Sequence, residues 1–233
     1  MSLQREGWWH RLLRAARPLL ARVLGWLPLR WIFEVFYWFS GDPWAYWTSA
    51  RERARYDDAM RILDGRLAGR RVLEVGCSNG AFTARLVGTG AHVTAVDISL
   101  MALRRARSRV PRAAFRRLDV FAEGLPEGLF EVIVATDVLG YTDDLALLRG
   151  VRDRMVGALA DGGVILLGNT KLRAEDGEGW DAFASGYPKL GATRIRAVFM
   201  ERMRVVEGSE AASYRIDLLT SSSDILQGTV LDS

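Results

Sequence analysis

Cysteine is almost absent: Cys77 is the one thiol in 233 residues, so the chain can form no internal disulfide and offers no thiolate cluster for structural zinc. A reducing, cytoplasmic setting is the expectation. Histidine is nearly as scarce, and His10 and His92 lie far apart, which argues against a histidine metal site or a Ser/His/Asp triad. The 6 prolines and 23 glycines follow no period, which excludes collagen-like and repeat architectures. Long apolar runs are missing as well. The most apolar window, residues 19–39, holds Arg22, Pro28, Arg30 and Glu34, whereas a spanning helix needs about 20 mostly apolar residues. The same charges interrupt any signal-peptide core.

What is present fits one globular domain with an appendage: 49% of residues are apolar and 26% charged. The net charge of +4 is local. Residues 1–40 carry six arginines against Glu6 and Glu34, and the remaining positions balance at 26 cationic against 26 anionic. With a neutral body there is no basic groove for a phosphate backbone, so a nucleic-acid partner is not expected. Residues 1–47 also hold seven of the eight tryptophans. Within them Trp8, Trp9, Leu12, Leu13, Leu19, Leu20 and Val23 fall on one helical side and Arg11, Arg14, Arg17 and Arg22 on the other. This basic amphipathic helix is read first as a cap on the chain's own domain. Peripheral membrane contact is the less favoured alternative. The division is therefore a helical extension over 1–47, a main domain over 48–219 and a polar tail over 220–233.

The main domain alternates. Ser49 and Glu52 have capping-box spacing before a helix running toward Leu67. Strand-like runs at Arg71–Val75, Val93–Val96, Ala114–Leu118, Phe130–Ala135 and Val164–Leu167 are separated by helices, one capped by Ser99 and one starting at Thr142 and stopping at Asp161-Gly162-Gly163. A further helix is expected over Gly191–Phe199. Met203–Glu207 and Tyr214–Leu219 read as an antiparallel pair, and residues 172–188 as a substrate loop. Such alternation indicates an α/β fold with a mostly parallel sheet.

One segment carries chemistry. Glu74-Val75-Gly76-Cys77-Ser78-Asn79-Gly80 lies where the first strand turns into a helix, the position at which open α/β sheets bind adenosine cofactors. Gly76 permits the tight turn and Gly80 a close approach. Asp97 ends the second strand, where one carboxylate can accept both hydroxyls of a ribose. The small residues do not follow G-x-G-x-x-G, and an acid precedes the first glycine by two residues, which suits a cationic amino group better than a pyrophosphate. A dinucleotide site and a ligand-free glycine turn are the weaker alternatives.

These elements, with Leu118-Asp119-Val120 and Thr136-Asp137-Val138-Leu139, resemble the class I S-adenosylmethionine-dependent methyltransferases over residues 42–219. The resemblance implies a Rossmann-like, seven-stranded, mostly parallel sheet with an antiparallel last strand. It implies that Glu74, Gly76, Cys77, Ser78 and Gly80 form the turn at the methionine part of S-adenosylmethionine, that Asp97 holds the ribose, that Ile98 packs on adenine, and that Asp119 and Val120 read its edge. Within that class, Asp42-Pro43-Trp44, Tyr46, Ser49, Glu52-Arg53-Ala54-Arg55-Tyr56 and Tyr214-Arg215-Ile216-Asp217 resemble the nodulation-type (NodS-like) small-molecule methyltransferases, which implies N-methylation of an amino sugar.

The acceptor side is read from what ends strand four. Asp137 sits at the cofactor edge and Tyr141 four residues on, and both are candidate catalytic residues. Asp137 is also a candidate for orienting the cofactor's amino group. An alcohol acceptor gains about 10²–10⁴-fold from a general base, an amine little once deprotonated. With no histidine at a strand end, an amine is favoured, and O-methylation with Asp137 as base is the alternative. No metal is expected, because Gly168-Asn169-Thr170 follows strand five in place of an acidic pair. Trp44, Tyr46 and Trp47 are candidate lid residues over a small-molecule acceptor, bulky and partly apolar. A non-catalytic cofactor-binding scaffold is the rival of another class, and the oligomeric state stays open, a homodimer included.

Overall fold

The computed structural model describes residues 29–171 and 190–221. The amphipathic helix expected before residue 28, the loop over 172–188 and the tail beyond 221 lie outside the described residues. Helix α1 (Leu29–Phe39) and α2 (Ala50–Ile62) precede β1 (Arg71–Val75), α3 (Ala81–Gly88), β2 (His92–Asp97), α4 (Leu100–Arg109), β3 (Ala114–Arg117) and β4 (Phe130–Thr136). A 3-10 turn over Leu139–Tyr141 leads to α5 (Leu145–Gly157), β5 (Leu159–Thr170), α6 (Ala192–Met200), β6 (Met203–Glu210) and β7 (Tyr214–Ser221). The seven strands lie in the order β3-β2-β1-β4-β5-β7-β6. β7 alone runs antiparallel to both of its neighbours, so the sheet is the mixed, mostly parallel, Rossmann-like kind.

Local chemistry explains most boundaries. The Ser49 side chain accepts from the Glu52 N–H and starts α2, and Ser99 does the same from Ala102 for α4. β4 is buried along Val132–Ala135, as a β-branched run covered on both faces should be. On one face of the sheet Phe82, Leu86 and Leu103 pack with Leu63. On the other, Leu148, Met155 and Phe199 pack with Ile133 and Ile165. Each such side chain contributes about 1.5–3 kcal/mol.

Several boundaries differ from expectation, four of them for a reason visible in the contacts. α2 stops at Ile62 with Leu63 as its cap, short of Leu67. α5 starts at Leu145 because the Asp144 carboxylate accepts from Ala146 and Leu147, which leaves Thr142 outside the helix. Asp161-Gly162-Gly163 does not end that helix. It lies inside β5, where the register with β4 jumps from Phe130↔Leu159 to Val132↔Val164, and Gly162 takes the left-handed backbone, φ 69°, that this bulge needs. β7 continues to Ser221, since Thr220 pairs with Val164 and Ser221 with Met203, so the tail begins later than residue 220.

α1 is built into the body. Ile32, Phe36 and Tyr37 are buried, and the Glu34 carboxylate accepts from the N–H groups of Leu100 and Met101 and from the Ser99 hydroxyl at the start of α4. An acid there meets the positive end of the helix. In the strand order, β1 and β4 are neighbours whose connections leave in opposite directions, and the crevice beyond their C-terminal ends is the switch point at which such sheets bind ligands.

Candidate active site

A cleft opens at that switch point, walled by the ends of β1, β2 and β4, the segment after β3, and the aromatic residues of α1 and the loop behind it. Among the sequence-predicted residues, Gly76, Ser78, Asp97, Ile98, Asp119, Val120, Asp137 and Tyr141 line it, with Trp44 and Tyr46.

The turn after β1 is held by backbone bonds. The Gly76 and Cys77 N–H groups both donate to the Val96 carbonyl at 2.8 and 3.0 Å. Gly76 has φ 80°, and a Cβ there would stand 2.7 Å from the Val138 Cβ, so this position admits only glycine. Ser78 takes φ 53° despite its side chain. Its N–H donates to Asp97 Oδ2 at 2.8 Å, and its hydroxyl shares a short hydrogen bond with the Tyr37 phenol.

Asp97 accepts once on each oxygen, the second bond coming from the Ser99 N–H at 2.9 Å. Burial pushes its carboxyl up to about 6. A carboxylate oxygen has two lone-pair directions, so both oxygens retain one for hydroxyl donors in the cleft. Ile98, Val96, Val120 and Phe121 add apolar wall nearby. Asp119 accepts the Phe121 N–H at 3.0 Å, and the Val120 carbonyl is capped by Arg154 at 2.7 Å. This set fits a ribose and a flat heterocycle.

Asp137 is differently placed. It follows β4 directly, at φ 50°. Its Oδ1 accepts both the N–H and the hydroxyl of Thr170, at 2.7 and 3.0 Å, while Oδ2 is ion-paired with Arg55. Arg55 is buried and also pairs with Glu52 at 2.7 Å. Tyr141 meets Phe33 edge-on, centroids 5.1 Å apart, and Trp44 stacks on Tyr46 at 6.1 Å.

Four predicted residues are not brought to the cleft wall. Glu74 points the other way: it is buried and accepts from the Thr83 hydroxyl at 2.6 Å, and burial pushes its carboxyl up to about 8. Cys77 is buried in the core, its thiol pushed up by the same cause. Gly80 caps α3 at φ 85°, and a Cβ there would press within 3.2 Å of the Ala106 backbone, so its close approach is to helix α4. Trp47 lies 37% exposed and donates from its indole to Asn79 Oδ1 at 2.9 Å.

Three side chains escaped sequence reading. Phe33 and Tyr37 line the cleft from α1; their 33/37 spacing on one helical face was the available signal. Asn79, fully buried, donates to the Gly41 carbonyl and to Asp42. Asp42 in turn accepts the Tyr46 and Trp47 N–H groups. Asn79 thus staples the aromatic loop onto the glycine turn, and a polar residue inside that turn was the only hint of it.

The strand order, the left-handed turn after β1 and the acid at the end of β2 together define a class I S-adenosylmethionine-dependent methyltransferase. Residues 39–223 match the Nodulation protein S (NodS) family, and the chain belongs to that family. Nodulation protein S of Bradyrhizobium diazoefficiens is 31% identical over 171 residues, 71% of this chain and 77% of that protein. The Sinorhizobium fredii protein is 30% identical over 130 residues, which span 55% of this chain and 60% of the relative. Among solved structures, N-methyltransferase NodS from Bradyrhizobium japonicum WM9 in complex with S-adenosyl-L-homocysteine superposes with a TM-score of 0.70 at 25% identity, covering 82% of this chain and 96% of that one. No helix among the described residues is long and apolar enough to cross a membrane.

Proposed function

We propose that this protein transfers a methyl group from S-adenosylmethionine to the amine of a small-molecule acceptor, an amino sugar or a natural-product intermediate. The observation that carries the choice of nitrogen is the state of Asp137: both of its oxygens already accept, from Arg55 and from Thr170. A general base must take the proton on a free lone pair, and the one left to this carboxylate, on Oδ2, lies beside the Arg55 cation, where protonation would forfeit the ion pair. That the Bradyrhizobium japonicum relative is an N-methyltransferase supports the same reading.

When bound, S-adenosylmethionine supplies a sulfonium methyl that an amine lone pair displaces in line, leaving the thioether and one proton to be shed from nitrogen. Asp97 receives the ribose hydroxyls on its two unshared lone-pair sites. Ile98, Val120 and Phe121 pack the adenine, and Asp119 with the Val120 amide reads its edge. Gly76 and Ser78 bring backbone to the methionine part, and Asp137 orients its amino group. Tyr141 with Phe33, Trp44 and Tyr46 forms an aromatic wall that stacks the C–H faces of a sugar ring, favours a cationic sulfur and excludes water. The contribution of the chain is placement, which supplies about 7–11 kcal/mol where the reacting atoms align.

The test is methyl transfer by the full-length protein to matched amino and hydroxyl sugars, read by mass spectrometry. Product on the amine alone supports the proposal. Product on the hydroxyl analogue, lost in Asp137→Asn, assigns Asp137 as base and overturns it.

A further inference from the structure

We propose that the outward face of α1, with the start of α4, docks the protein on an anionic lipid bilayer. α1 has two faces of opposite use. Phe33 and Tyr37 look into the cleft. Trp31 and Trp38, two turns apart on the other side, are 50% and 68% exposed, and Phe39 and Leu100 beside them are 63% and 45% exposed. Large apolar groups gathered at this exposure mark an interaction surface, and tryptophan is the side chain that bilayer interfaces favour.

The chemistry of the rim selects the partner. Trp31, Trp38 and Leu100 line a shallow groove together with Arg30, Arg104 and Arg117. Among the described residues Glu34 is the one carboxylate in that lining, turned onto the N–H groups of Leu100 and Met101, and three arginines against it leave the face net positive. The chain enters α1 from residues 1–28, which hold five arginines against Glu6, whereas the body from residue 41 onward is balanced. Exposed tryptophan and surplus arginine therefore belong to the same N-terminal stretch of the sequence. Neither of the other candidate occupants complements this face. A second copy would set arginines against arginines, and the preceding segment carries the same sign as the rim. An anionic headgroup layer accepts both features at once, aromatic rings at the acyl boundary and guanidinium groups among phosphates. Ile98 lines both this groove and the cleft, so docking sets the wall of the cleft against the bilayer.

The experiment is co-sedimentation of the full-length protein with vesicles of phosphatidylcholine alone and of equimolar phosphatidylcholine and phosphatidylglycerol, at low and high salt. The expected result is binding to the anionic vesicles only, weakened by salt. It falls at least about tenfold in Trp31→Ala/Trp38→Ala and, separately, in Arg104→Gln/Arg117→Gln, with melting temperatures unchanged. Absence of binding to anionic vesicles overturns the proposal. So does equal binding by the wild type and both variants. A wild type that is dimeric by light scattering and becomes monomeric in the tryptophan variant overturns it too, in favour of a second copy.

Discussion

The two strands that flank β1 each lead into an aspartate at the cleft, and the two acids are prepared for opposite tasks. At the end of β2, Asp97 meets only backbone N–H groups, one on each oxygen, and burial without a cation pushes it up to about 6. At the end of β4, Asp137 is committed on both oxygens, to a buried guanidinium and to Thr170. The first keeps acceptor capacity for a ligand. The second puts most of it into holding α2 to the strand and fixing the rim of the cleft, with one site on Oδ2 left beside Arg55. Glu74 lies on the strand between them and is kept from both roles by facing Thr83.

The largest effect expected is at Glu74. Its folded value of about 8 lies above its unfolded value near 4.5, so the folded state binds the extra proton. Stability from this group is present below pH 4.5 and is lost as pH rises through 8, by on the order of 5 kcal/mol. Glu74→Gln keeps the acceptor for Thr83 and should flatten the pH dependence of urea unfolding between 5 and 8. An unchanged slope would mean that Glu74 is ionised in the fold and bears on the cleft after all.

Asp137→Ala comes next. It leaves Arg55 buried with Glu52 as its remaining partner and should cost about 3 kcal/mol of stability. In a double-mutant cycle with Arg55→Met the two changes should couple strongly. Simple additivity would show that the ion pair does not hold the two elements together, and would free Asp137 for chemistry.

The third effect is on binding. Asp97→Ala should weaken S-adenosyl-L-homocysteine about 10²-fold in calorimetric titration, through loss of two charge-assisted hydrogen bonds, with little change in melting temperature. In the wild type the same affinity should fall as pH drops below about 6, because protonation removes the charge that the ribose hydroxyls donate to. A variant that binds normally would dissolve the distinction between the two aspartates.

Much of this architecture was legible in advance, and for local reasons. The β-branched runs, the Ser49 and Ser99 caps and the glycines at 76 and 80 act within a few residues of themselves. Even so, the glycine turn contained both a residue that faces the cleft, Ser78, and residues that face away, Glu74 and Cys77. Strand alternation would set Glu74 and Ser78, four residues apart, on the same side; the left-handed backbone at Gly76 and Ser78 breaks that period and turns Ser78 into the cleft. The bulge in β5 was missed for a related reason, since a Gly-Gly pair stops a helix or bends a strand with equal ease until its partner strand is known.

What the amino-acid order determined unaided is the alternation of elements, the position of the glycine turn and the aspartates that follow each strand, because periodicity, capping and backbone freedom are properties of neighbouring residues. Only the tertiary structure decided that Arg55 would neutralise Asp137 across 82 positions, that Tyr37 would reach Ser78 across 41, and that Trp31 and Trp38 would be left facing outward. Contacts between distant residues leave no trace in local pattern, since burial and chain crossing, which the fold alone sets, choose which polar groups must find one another.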